Sequence, residues 1–507
     1  MDYKRSGGIL LHPTSLPGNL GVGELGHQAF RWVDFLQKSQ CGLWQILPLG
    51  PTGYGDSPYQ CFSSFAGNPN LISLEMLYQE GLLDQSDLEE RPQFSPQRID
   101  YGILIPWKQK RLQRAYQNFL KRRTAELEIE FEQFCQLHGE WLDDFALFMA
   151  LKQAHDGRAW MEWDEPYRLR TKEALDSFKA EHAFLVDSFR FQQFLFFRQW
   201  TAVRKAANAA GIRIVGDVPI FVAQDSCDVW CNPRLFKLKP SGYPRVIAGV
   251  PPDYFSATGQ RWGNPIYNWK AHHQSNFAWW KRRIRHTLSQ VDFIRIDHFR
   301  GFCACWEIPA HFPTAEIGRW VRSPGKKLFR HLSAELGGKL PFIAEDLGVI
   351  TPDVVQLREM FGLPGMKILQ FAFDSQDPRD PFLPHNFSPQ CVVYTGTHDN
   401  DTTLGWYLSM GNGVLNTARW YLPELDQDPA WQMIRYAWAS VAVFAIAPLQ
   451  DFLRLDSDAR MNYPGKIGQY WSWRATEESL APSLTEAIAT LNYRYNRTPF
   501  LGDQLGY

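Results

Sequence analysis

Four acidic residues fall at or just beyond the ends of short apolar runs. They are Asp217 in Ile212-Arg-Ile-Val-Gly-Asp-Val218, Asp297 in Phe293-Ile-Arg-Ile-Asp297, Glu345 in Pro341-Phe-Ile-Ala-Glu345, and Asp399 after Cys391-Val-Val-Tyr-Thr395. A lone acid in such a place can simply cap the next helix. Several converging on one rim repel one another, so a functional explanation is better than a structural one. In the second run, strand alternation puts Phe293, Arg295 and Asp297 on one face and Ile294 and Ile296 on the other. Burying either charge alone is costly, so Arg295 and Asp297 must pair or meet partners. Such a pair can tie strands together, or it can hold an ionised carboxylate ready to attack. Glycoside cleavage with retention needs that carboxylate and, facing it, a second carboxyl that keeps its proton. Asp297 beside Arg295 suits the ionised role, and Glu345, with Ile343 on its face, the protonated one. Asp346 points away from such a site.

Strands are what must position these acids. Candidates recur at residues 8–12, 43–49, 212–218, 293–297, 341–345, 366–373 and 391–395, with another inside Val441–Leu449. Helical patterns lie between several of them, which predicts an α/β fold, a (β/α)8 barrel over residues 1–507 with its chemistry at the C-terminal strand ends. About 160 residues separate the second and third candidates, far more than one crossover needs. Leu112, Tyr116 and Phe119, like Phe196, Trp200 and Val203, recur at helical spacing, which predicts an inserted helical subdomain over about residues 65–205. Within it, the basic stretch 108–123 and the acidic stretch 126–132 read as solvated helix faces. Residues 221–291 are rich in Pro and Gly and read as an inserted loop or lid region over one barrel end.

The 507 residues carry a net charge of −1 with 21% charged residues, so no global field favours nucleic acid or an anionic membrane. Aromatics make up 15%, including 20 Trp, enough for a large core and for ring faces that stack on sugars. The first residues lack an apolar signal core, and no stretch approaches 18 consecutive apolar residues. The eight cysteines read as reduced thiols, and the expected setting is cytoplasmic. Cys227 and Cys231, or Cys303 and Cys305, invite a metal reading, but no matching His pair follows either, so buried thiols are expected.

Beyond these general signals, Arg295-Ile-Asp297, Ala344-Glu-Asp346, Thr397-His-Asp399 and Gly216-Asp-Val-Pro219 resemble the signature regions of the α-amylase clan. The closer resemblance is to the amylomaltase family of 4-α-glucanotransferases, glycoside hydrolase family 77. It extends through Ser57-Pro-Tyr-Gln60, Gly249-Val-Pro-Pro-Asp-Tyr-Phe-Ser256, Gly259-Gln-Arg-Trp-Gly-Asn-Pro265, His298-Phe-Arg-Gly301 and Arg460-Met-Asn-Tyr-Pro-Gly465. The resemblance implies a barrel with inserted subdomains and no separate starch-binding module. It implies Asp297 as nucleophile, Glu345 as acid/base, and Asp399 as a third carboxylate that holds substrate hydroxyls and distorts the sugar. It also implies that Arg295, Asp217, His298 and His398 line the subsite of the attacked glucosyl unit, with Tyr59 stacked on it. Tyr254, Phe255 and Trp262 fall in what resembles the family's flexible lid, and Tyr54 resembles part of a more remote glucan contact. The family more often has Asn where Tyr470 stands here.

The implied activity is retaining transfer of an α-1,4-glucan segment to the 4-hydroxyl of another glucan or of glucose. The partners are then α-1,4-glucans, maltooligosaccharides and glucose, with no nucleic acid, membrane, cofactor or metal; the oligomeric state is not readable. The rivals are an α-glucan hydrolase using the same carboxylates, and a catalytically silent glucan-binding protein.

Overall fold

The computed structural model describes residues 3–122, 124–252, 256–466, 468 and 470–499. Twelve strands lie among them. Eight are β1 (Ser6–Leu10), β2 (Leu43–Gln45), β3 (Arg213–Val218), β6 (Phe293–Ile296), β9 (Phe342–Ala344), β10 (Gly365–Ile368), β11 (Cys391–Tyr394) and β12 (Phe444–Pro448). They pair in parallel and close in the order β1-β12-β11-β10-β9-β6-β3-β2. The (β/α)8 barrel expected from the apolar runs is therefore present, and every run supplies a strand. The sixth run stops short: after Ile368 the chain leaves the sheet in the 3-10 turn Leu369–Phe371. Apolar composition alone could not mark that exit, because the turn packs inward with Leu369 wholly buried.

The barrel strands are buried on both faces, as parallel strands covered by helices must be. Inside, Phe293, Phe444 and Tyr3 pack ring to ring, with centroids 5.4–5.8 Å apart. Each buried Phe contributes roughly 2–3 kcal/mol from removal of apolar surface. Outside, Trp44 of β2 meets Trp32 of the helix His27–Lys38 and Trp200 of the helix Ala183–Ala209.

Among the described residues between β2 and β3 are seven α-helices, including Tyr101–Arg122, Ala125–Ala154 and Ala183–Ala209. Leu112, Tyr116, Phe119, Phe196, Trp200 and Val203 are all buried in them. The stretch 108–123 is not wholly solvated. Lys108 is fully buried, its Nζ 2.5 Å from Glu24 Oε1 and from the Asn70 carbonyl, and it ties this helix to the loop after β1.

Residues 221–291, expected as a loop region, contain more order than that. They hold β4 (Val246–Val250), β5 (Gln260–Pro265) and the helices Trp269–Gln274 and Ala278–Gln290. β4 and β5 join β7 (Ala304–Pro309) and β8 (Arg319–Arg322) in an antiparallel sheet ordered β5-β4-β7-β8. β5 pairs with β4, but β4's other neighbour, β7, comes from beyond residue 300, and local Pro and Gly content hid both strands. Among the described residues, no helix is long and apolar enough to cross a membrane.

Candidate active site

Strand register assembles the site. β3 pairs with β6 so that Asp217 lies level with Arg295, and β6 pairs with β9 so that Arg295 lies level with Ile343. Neighbours level in a parallel pair point to the same face, and so do residues two apart along one strand. Asp217, Arg295, Asp297 and Glu345 are thereby aimed at one volume inside the C-terminal mouth of the barrel.

Arg295 is the charge that makes this tolerable. Its Nη1 donates to Asp217 Oδ2 at 2.6 Å and to Asp297 Oδ1 at 3.0 Å, and its Nε faces Met366 Sδ at 3.3 Å. Burial alone would lower its pKa, but Asp217 and Asp297 hold it well above the usual value, so it stays a cation. Tyr59 completes the group, its hydroxyl donating to Asp217 Oδ2 at 2.7 Å. Burial, then the Asp217 charge, pushes that hydroxyl far above the ordinary phenol range, so it remains a donor.

After β6 the backbone turns sharply. Asp297 N–H donates to the Val218 carbonyl, and His298 takes the left-handed conformation at φ 51°. That conformation is costly enough to mark a functional position. Here it directs the His298 N–H to Glu345 Oε2 at 2.7 Å, while Leu347 N–H reaches Oε1 at 3.0 Å. Both hydrogen bonds favour the carboxylate, yet burial and the nearby Asp297 charge outweigh them and push Glu345 up to about 8. Glu345 thus keeps its proton at neutral pH. Its neighbour Asp346 turns the other way, accepting from Met366 N–H at 2.8 Å and pairing with Arg358. Gly365 leaves room for it, since a Cβ there would stand 2.5 Å from Asp346 Oδ2.

Beyond β11, Asp399 is held by a loop from after β12. Asn462 Nδ2 donates to Asp399 Oδ1 and Arg460 Nη2 to its carbonyl, both at 2.7 Å. His398 stacks on Tyr59 with centroids 5.1 Å apart and planes at 19°. Trp471 closes a triangle with these two rings, 5.8 Å from each. Its backbone is left-handed at φ 62°, a strained state for a bulky residue. Trp262 of β5 meets His298 edge to face at 4.8 Å. Burial drives His298 down to about 4, so it is a neutral imidazole. Asp217 Oδ1, His298 Nε2 and His398 Nδ1 are buried without a hydrogen-bond partner within the protein, three polar atoms suited to a hydroxylated ligand.

Asp217, Arg295, Asp297, His298, Glu345, His398, Asp399, Tyr59 and Trp262 are therefore brought together. Tyr54 is 75% exposed on the turn Tyr54–Asp56 and takes no part in this ring stack. Tyr254 and Phe255 lie outside the described residues, in the connection between β4 and β5. Sequence reasoning quoted Asn462 and Arg460 only within a family motif, and it missed Trp471. The available signal was the density of polar and aromatic residues in Arg460–Arg474, a stretch too irregular for periodicity to interpret. Tyr470 packs on Tyr463 at 5.0 Å. Among the described residues, no cluster of three or more His, Cys, Asp or Glu side chains is placed to hold a metal ion.

The sequence profile of glycoside hydrolase family 77, 4-alpha-glucanotransferase, matches residues 11–480. A 4-alpha-glucanotransferase of Thermus thermophilus is 50% identical over 95% of this chain and 97% of its own length. One of Synechocystis sp. is 48% identical, covering 97% of this chain and 98% of that protein. Among solved structures, the amylomaltase from Streptococcus agalactiae in complex with acarbose is 39% identical, with a TM-score of 0.94 over 98% of this chain and all of that one.

Proposed function

The chain belongs to the 4-alpha-glucanotransferases of glycoside hydrolase family 77, and from that premise we propose how its own side chains move an α-1,4-glucan segment from donor to acceptor. Asp297 attacks the anomeric carbon while Glu345 gives its proton to the departing glycosidic oxygen. The first product leaves with a free 4-hydroxyl, and the donor segment stays as a glycosyl ester on Asp297. Glu345, now a carboxylate, takes the proton of an incoming 4-hydroxyl as that oxygen attacks the same carbon. Two inversions give net retention.

The observation that carries this division of labour is the contrast between two neighbouring acids. Glu345 is pushed up to about 8, while Asp297 is paired to Arg295 at 3.0 Å. Arg295 also fixes Asp217, whose free Oδ1 accepts a sugar hydroxyl, and Tyr59 gives the sugar a ring face. Asp399, aimed by Asn462, holds further hydroxyls as the ring flattens toward the transition state. The pairing of β4 with β5, with Trp262 against His298, supports a lid role for the connection between these strands, to which Tyr254 and Phe255 belong in sequence, in keeping water from the ester. Tyr54 supports a more remote glucan contact through its exposed ring. Acarbose in the Streptococcus agalactiae relative supports α-glucans as the ligand class, with maltooligosaccharides and glucose as the expected donors and acceptors. A cytoplasmic setting belongs to the same proposal, supported by eight unpaired cysteines.

Product sizing after incubation with maltotriose tests it. Transfer gives glucose together with oligomers longer than three units. Shorter sugars alone would mean a hydrolase, and no change would mean a binding protein.

A further inference from the structure

The loop after β9 begins with Glu345, and its residues 347–350 have no regular structure. Among the described residues, two hydrogen bonds hold that stretch. Leu347 N–H donates to Glu345 Oε1 at 3.0 Å, and the Val349 carbonyl accepts from Arg300 Nη1 at 2.6 Å. The first bond lies within the loop, so Arg300 is the polar tie from outside it. Packing adds little at this point. Val349 is 60% exposed, and Leu347 and Ile350 meet the core with partly buried side chains. Gly348, between the two bonded residues, is left-handed at φ 81°, a state that glycine enters and leaves at small cost.

Arg300 belongs to the 3-10 turn Phe299–Phe302, which opens two residues after Asp297. In the same turn the Phe299 N–H donates to the Glu345 carbonyl at 3.0 Å, and just before it the His298 N–H holds Oε2. Three successive residues therefore grip the side chain of the acid, its backbone and the loop beyond it. The third grip is itself braced. The Arg300 guanidinium stands 3.8 Å over the Trp320 ring of β8, a cation–π contact, and Trp320 packs on Trp306 of β7 with centroids 5.4 Å apart. Both strands belong to the sheet whose other edge, β5, carries Trp262.

We propose that Arg300 is a positioning residue for proton transfer: by holding the Val349 carbonyl it keeps Leu347 N–H on Glu345 Oε1, and so keeps the acid aimed at the departing glycosidic oxygen. The inference rests on the reading of Glu345 given under Proposed function. A carboxyl held through one oxygen alone can swing about the bond that remains. Attack by Asp297 does not use the aim of Glu345, whereas protonation of the leaving oxygen does. Loss of Arg300 should therefore slow those donors whose leaving group needs a proton and spare those whose leaving group does not. The brace on Trp320 makes the aim of the acid depend on the small sheet as well.

The test compares maltotriose with α-glucosyl fluoride, whose leaving group needs no proton, using enzyme in excess over donor so that the first bond cleavage is read. For Arg300→Met, cleavage of maltotriose is expected to slow about 10- to 100-fold, and fluoride release by less than about threefold. Trp320→Leu changes a ring that is 40% exposed and removes the brace alone. It should show the same selectivity, with maltotriose slowed about two- to fivefold. Equal slowing of both donors, or an unchanged maltotriose rate, in Arg300→Met would overturn the assignment. Should Arg300→Met not fold, the same two readings on Trp320→Leu decide. Glu345→Gln is measured beside them. If it slows both donors alike, Glu345 is not the acid, and the reading under Proposed function falls together with this one. If it spares fluoride release while Arg300→Met does not, the positioning role alone falls.

Discussion

The backbone N–H of His298 donates to Glu345 Oε2 at 2.7 Å. His298 directly follows Asp297, so the turn that presents one acid also positions the other. The carboxyl of Glu345 cannot shift relative to Asp297 without breaking this bond or unwinding a left-handed residue. The two groups are preorganised as a unit, which is how a scaffold lowers a barrier without motion at the moment of reaction.

From that coupling, the two acids should fail in different ways. Asp297→Asn removes the attacking oxygen and should lower kcat by about a thousandfold or more, roughly 4 kcal/mol of barrier. Glu345→Gln should also be poor on maltotriose, because the leaving oxygen has no proton donor. With α-glucosyl fluoride, whose leaving group needs no proton, it should still form an ester on Asp297, visible as a mass increase. No adduct in Glu345→Gln, or activity within about tenfold of wild type in Asp297→Asn, would reverse the assignment.

Glu345 also links stability to pH. Its ordinary value is 4.5, and burial with the Asp297 charge raises it to about 8 in the fold. Between those values the folded chain keeps a proton that the unfolded chain has released. Folding stability therefore falls as pH rises through this window, and the loss is complete above about 8. Glu345→Gln cannot ionise and escapes that loss. Thermal melts at about pH 5 and about pH 9 should show a larger fall in Tm for wild type than for the variant. Equal falls would mean that Glu345 ionises freely in the folded protein.

The helical insertion is clamped to the barrel loop by the Lys108–Glu24 pair. Burial raises the Glu24 pKa and lowers that of Lys108, so each depends on the other to stay charged. Lys108→Met should cost about 3 kcal/mol by leaving Glu24 buried and unpaired. Adding Glu24→Gln should recover a large part of that loss, which denaturant unfolding of single and double variants measures. Additive losses in the double variant would show that the pair is not coupled.

How much of this was legible in the sequence follows from range of interaction. Barrel strands announce themselves locally, because a strand buried on both faces is an unbroken apolar run. The carboxylates were legible because they end such runs, and alternation placed Arg295 with Asp297. β4 and β5 were not, since Val246–Val250 and Gln260–Pro265 look like loop until they pair with each other and β7 pairs with β4. Lys108 looked solvated because nothing nearby in sequence reveals that Glu24 lies against it. Trp471 and Asn462 sit in irregular chain, where neither a two-residue nor a 3.6-residue period exists to interpret.

Asn462 gives the last prediction. Its Nδ2 is the donor on Asp399 Oδ1 at 2.7 Å, so it fixes the direction of the third carboxylate. Asn462→Asp is nearly isosteric but replaces that donor with an acceptor. Two carboxylates this close cannot both ionise cheaply, and one takes up a proton as pH falls. At neutral pH the repulsion should turn Asp399 away from the sugar and lower kcat/KM about 10- to 100-fold. As pH falls toward about 5, a shared proton restores a hydrogen bond between the two oxygens, and activity relative to wild type at the same pH should rise. Asn462→Ala loses the donor without adding a charge, so its deficit should be smaller and flat with pH. The comparison is kcat/KM for maltotriose across pH in the two variants, each divided by wild type. If both show the same flat loss, Asn462 acts as packing and not as the group that aims Asp399.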